Sequence, residues 1–93
     1  MNFDNSSARE VAIECAITFA KHKKLTPSLD DIIKIAEVVF VKWINPQSIK
    51  DYNMHRNAAL KRALMHLDIS KEPIESTKDI LVLADKYWEY ITK

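Results

Sequence analysis

Ser28-Leu29-Asp30-Asp31-Ile32-Ile33-Lys34-Ile35-Ala36-Glu37-Val38-Val39-Phe40-Val41-Lys42-Trp43 is the stretch that decides the fold. It opens on a serine with an aspartate three residues on, the spacing at which each side chain can satisfy the other's main-chain N–H at a helix start. At about 100° per residue, Ile32, Ile35, Ala36, Val39, Phe40 and Trp43 then fall on one face. A cap followed by such a stripe predicts an amphipathic helix. The pattern recurs further along, where Ser76 and Asp79 precede Ile80, Leu83, Ala84, Tyr87, Trp88 and Ile91.

The segment before each of these helices also repeats. Arg9, Ala12, Ile13, Ala16, Ile17 and Ala20 align with Arg56, Ala59, Leu60, Ala63, Leu64 and Leu67. The offset between the second members of the pairs is one residue larger, a change that falls in a loop, where insertions are tolerated. The chain therefore reads as an all-α, four-helix, single domain over residues 1–93, made of two similar helical hairpins, 7–45 and 48–93. Matched arginines, caps and acids point to internal duplication, because helical periodicity alone matches only the apolar positions.

Local signals give the boundaries. The first helix is expected from Ser7, boxed by Glu10, to about Lys23, with Lys21, Lys23 and Lys24 at the negative end of its dipole. Ser28 starts the second, with Thr26 and Pro27 a competing start, and Asn45-Pro46 ends it. The third begins between Ser48 and Asn53 and runs to about Leu67. The fourth runs from Ser76 to the end.

Composition narrows the classes. The 93 residues are 47% hydrophobic and 29% charged, in the range of one globular domain. Glycine is absent, where about six or seven would be usual, so phosphate-cradling loops and tight hairpins are disfavoured. Fourteen basic against thirteen acidic residues give +1, which removes the global signal of a nucleic-acid binder. Cys15, alone among Ala12, Ala16 and Phe19, reads as a small core residue. No apolar run approaches a membrane span, and Met1-Asn2-Phe3-Asp4-Asn5 does not read as a signal peptide. A cytoplasmic protein is expected.

Each hairpin thus carries Arg-x-x-Ala, a polar loop, then Ser-x-x-Asp-Ile and an apolar–Ala–acid–aromatic run. The pattern spans Arg9–Ala20 with Ser28–Trp43, and Arg56–Leu67 with Ser76–Ile91. It resembles short phage-encoded open reading frames that form helical hairpins of mostly unknown function, although this chain has two hairpins where those have one. The resemblance implies a phage or mobile-element origin, a bacterial host cytoplasm, and action on host proteins or near replication and recombination machinery. It brings no catalytic residues.

Few side chains suggest chemistry. His55 and His66 share a side of the third helix but lie roughly 16 Å apart along it, too far for one metal, and His22 sits in a lysine-rich helix end. Asp30 and Asp31 occupy an opening turn, where acids offset the helix dipole. No paired acid has an apolar setting that would suit it to general acid work. No catalytic residue, metal site or cofactor is expected, and the chain reads as a non-enzyme.

Two surfaces remain. Val38 and Val41 point away from the apolar face of the second helix, beside Lys34, Lys42 and Glu37, whereas Lys86 and Glu89 stand at the matching places in the fourth. Unless the second helix is buried on both sides, the valines mark a contact with another protein or a second copy. The first helix has an apolar arc wide enough to be central or to join that contact, making one patch. The alternative is a nucleic-acid face on the third helix from His55, Arg56, Lys61, Arg62 and His66. Two further expectations concern the interior. At least one of Arg9 and Arg56 packs its stem on the core and pairs an acid across helices, and Trp43 and Trp88 are core anchors, not a ligand cage.

Overall fold

The computed structural model describes residues 5–44 and 50–93, the side chains of Asn5, Lys50 and Asp51 excepted. It holds four helices: α1 (Asn5–His22), α2 (Leu29–Trp43), α3 (Lys50–Ser70) and α4 (Thr77–Ile91). There is no strand among the described residues. The all-α, four-helix reading is correct.

The caps show why the helices start where they do. Ser28 Oγ accepts the Asp31 N–H at 3.2 Å and Asp31 Oδ2 accepts the Ser28 N–H at 3.2 Å. Ser28 is therefore the cap, and the competing start at Thr26-Pro27 is not used. Asp79 Oδ2 does similar work for α4, accepting from the main chain of Glu75 at 2.8 Å and Ser76 at 3.3 Å. The first helix departs from expectation. It is already helical at Asn5, the first described residue, so Ser7 and Glu10 lie inside it and form no cap. Ala8, in the first turns, is in the core at 2% exposure. The expected stop at Asn45-Pro46 falls outside the described residues; α2 is helical to Trp43, and Ile44 is extended.

A chain without glycine still needs left-handed residues to end helices, and lysines fill the role. Lys24 has φ 56° and Lys71 has φ 55°. After α1, Leu25 N–H reaches Ala20 O at 2.9 Å and Lys24 N–H reaches Lys21 O at 3.2 Å, the paired bonds of a Schellman end. After α3 a single bond from Lys71 N–H to Leu67 O, 3.0 Å, closes the helix. That closure carries α3 a turn past the expected end near Leu67. The apolar face stops at Leu67, and Ile69 on the extra turn is exposed.

Packing is within hairpins first: α1 lies on α2 and α3 on α4. α1 also meets both α3 and α4, while α2 reaches the second hairpin chiefly at its C-terminal end. The helix buried between the others is thus α1 and not α2. Glu14 of α1 pairs with Lys61 of α3 at 3.4 Å, residues 47 apart. One turn and more further on, Lys21 and Lys24 line the same cleft as Asp68 and Lys71. Contacts at two heights with the same register make α1 and α3 parallel neighbours. Ala12, Ala16, Ala59 and Ala63 are all at most 1% exposed, and such small side chains let helices approach closely. Val39 and Ile80 are fully buried, Cys15 with them; burying each aliphatic chain contributes about 1.5–3 kcal/mol.

Candidate functional site

The burial of Ala36, Val39, Phe40 and Trp43 fixes the rotation of α2. Val38 and Val41 then face outward, 48% and 65% exposed, with Lys34, Glu37 and Lys42 also exposed around them. The alternative of a second helix buried on both sides does not hold, because among the described residues α1 alone packs along its length. Ile13 and Ile17 of α1 are exposed at 40% and 52%, and Ile13 lines the α1–α2 seam with Ile33 and Glu37. At 100° per residue, the flank of α2 that carries Asp30 and Glu37 separates that seam from the valines.

That seam holds a hollow of about 90 Å³ lined by Arg9, Ala12, Ile13, Ile33, Ala36, Glu37 and Phe40. Small-molecule sites usually enclose about 300–1,000 Å³, so this half-open hollow is too small to enclose a cofactor. Its floor is alanine because Ala12 and Ala36 are the packed positions of the two helices, 1% and 6% exposed. The Arg9 guanidinium stands over the Phe40 ring at 4.6 Å.

The five residues of the proposed nucleic-acid face are dispersed by the fold. Arg56 turns inward, its side chain 12% exposed. His66 Nδ1 is 2.8 Å from the Tyr87 hydroxyl, and its Nε2 is 3.9 Å from Glu72. Lys61 is paired with Glu14. Arg62 rests an Nη1 N–H on Met65 Sδ at 3.9 Å, and His55 is exposed. Of the five, Arg62 and His55 keep an outward side chain with no ion pair among the described residues, beside the exposed Met54 and Met65.

Arg56 is the best-defined polar centre. Its guanidinium lies 3.4 Å above the Trp43 ring, 5.0 Å from Trp88 and 5.6 Å from Tyr52. Tyr52 meets Trp88 edge-on at 5.7 Å. Arg56 Nε donates to Trp43 O at 3.0 Å, Trp43 Nε1 donates to Arg56 O at 2.6 Å, and Asp85 pairs Nη1 at 3.7 Å. Burial lowers the arginine's pKa, and Tyr52 and Asp85 oppose the shift. The expected core-packed, acid-paired arginine is therefore Arg56. Both tryptophans pack on the core as expected, Trp43 buried within it and Trp88 half-buried against it. Together with Tyr52 they do form a cage, and its occupant is the chain's own arginine.

Elsewhere the chemistry is quiet. Burial pushes the Cys15 thiol up to about 12, which keeps it protonated and unreactive. Among the described residues, no three His, Cys, Asp or Glu side chains come close enough to hold a metal, and no helix is long and apolar enough to cross a membrane. No family model, curated protein or solved structure matches this chain.

Proposed function

We infer that this chain is a small, non-enzymatic helical protein that acts by binding another protein through the first hairpin. The observation that carries the reading is the exposure of Val38 and Val41 on a helix with no neighbour on that side among the described residues. An apolar pair ringed by Lys34, Lys42 and Glu37 has the composition of a contact with a dry centre and a polar rim. With the resemblance to phage hairpin proteins, the reading extends to a modulator or inhibitor of a host protein in the bacterial cytoplasm.

The experiment is capture of partners from bacterial lysate, with and without nuclease, followed by a salt series on the captured complex. A nuclease-resistant partner whose affinity changes little with salt supports the reading. Affinity that falls steeply with salt, and capture that nuclease abolishes, would shift it to nucleic acid on α3.

A further inference from the structure

The two hairpins build the same three-residue device and finish it differently. In the second, Arg56 of α3 lies over Trp88 of α4, with Asp85 of α4 beside it. In the first, Arg9 of α1 lies over Phe40 of α2, and Glu37 of α2 lines the same hollow. Arg56 is closed from above by Trp43, whose ring stacks on the guanidinium and whose main-chain oxygen takes the Nε–H. Among the described residues nothing closes Arg9. It is exposed, and among the described residues it makes no ion pair. Beside it the walls of the hollow are apolar, with Ile13 and Ile33 only half covered.

The molecule therefore displays, at Arg56, what covers an arginine set in this way. We propose that the α1–α2 hollow at Arg9 is a binding site for an aromatic side chain, tryptophan by preference, presented by a partner together with a main-chain carbonyl. The ring would stack on the Arg9 guanidinium and slide between Ile13 and Ile33, and the carbonyl would accept from Arg9 Nε, as Trp43 O does from Arg56. An uncapped carbonyl beside a large ring is what the last turn of a helix offers, and Trp43 itself is such a residue. Arginine suits the task because its planar cation stacks on aromatic faces while its N–H groups bond in the plane. The site goes beyond the interaction proposed for Val38 and Val41, since it lies across the Asp30–Glu37 flank from them.

N-acetyltryptophanamide supplies the ring and the carbonyl, and N-acetylalaninamide supplies the carbonyl alone. Titrating each into the isotope-labelled full chain, followed by proton–nitrogen correlation spectra, reads the site directly. The tryptophan probe should shift the amides of Ala12, Ile13, Ala36 and Glu37 and the Arg9 Nε–H saturably. The Arg56 Nε–H should stay still, because its aromatic position is filled. Arg9→Ala, at an exposed position, should keep the fold and weaken binding by roughly threefold to fivefold; Ile33→Lys should do the same independently. The proposal is overturned if no saturable shift appears, if the alanine probe gives the same shifts, if the shifts centre on another surface, or if both variants bind like the parent.

Discussion

Trp43 and Arg56 hold each other by their main chains: the indole N–H donates to Arg56 O at 2.6 Å, and the guanidinium Nε–H donates to Trp43 O at 3.0 Å. The exchange joins the last residue of α2 to the first turns of α3, where the two hairpins otherwise touch little through α2. It also supplies a partner for a carbonyl that a helix C-terminus leaves open. The guanidinium stacked on the indole adds a cation–π contact to the two bonds.

Arg56→Ala is accordingly expected to cost about 2–4 kcal/mol, since it removes a stacked, hydrogen-bonded, largely buried cation. Arg56→Lys keeps the charge and loses the planar stack and fork, and should recover only part of that. Asp85→Ala should cost less than about 1 kcal/mol, because the acid is 52% exposed and 3.7 Å away. Urea titrations of the three variants check the order. Equal losses for Asp85→Ala and Arg56→Ala would mean that the ion pair and not the cage holds the site.

The tryptophans should separate under a change that keeps ring packing and deletes one N–H. Trp43→Phe removes the N–H that Arg56 O accepts and thins the stack, and should cost at least about 1–2 kcal/mol. Trp88 Nε1 is buried and finds no acceptor among the described residues, so Trp88→Phe loses no bond and should cost clearly less. Thermal unfolding of the pair decides between them. A larger loss at Trp88 would contradict this assignment of roles.

Lys24 and Lys71 occupy left-handed backbone that glycine adopts freely and other residues adopt at a cost of roughly 1–2 kcal/mol. Glycine's greater freedom in the unfolded chain returns part of that gain. Lys24→Gly and Lys71→Gly should each stabilise the protein by about 0.5–1 kcal/mol, a rise in Tm of a few degrees. A fall in Tm for either would mean that the lysine side chain makes a contact worth more than the backbone strain.

Cys15 should resist thiol reagents at pH 8 in the folded protein, since its thiol is fully buried and titrates at about 12. Labelling should proceed at the unfolding rate and accelerate with denaturant. Fast labelling in native buffer would show that α1 separates from its neighbours without global unfolding.

Much of this was legible in the residues. Ser28 with Asp31, and Asp79 before its apolar stripe, mark helix starts because capping is local chemistry. The inward turn of Arg56 followed from its place within an apolar arc, and the outward turn of Val38 and Val41 from theirs opposite one. Three features were not legible. Lys24 and Lys71 carry no sign of left-handed backbone, since the usual cue is glycine. The grip of Trp43 on Arg56 runs through main-chain atoms across a loop, which no side-chain pattern encodes. Whether Ile13 and Ile17 are core or surface depends on which neighbours α1 acquires, and its wide apolar arc fits both.

The outer face of α2 is the surface on which the functional account stands, and the chain supplies its own control for it. Lys86 and Glu89 are exposed residues at the places in α4 that match Val38 and Val41. The measurement is partner binding by the double variant Val38→Lys with Val41→Glu, set against its melting temperature. The account predicts a protein that melts within a few degrees of the parent and has lost its partner, whether that is a captured protein or a second copy. Unchanged binding by the folded variant would contradict it, and so would unfolding, which would make the valines part of the core.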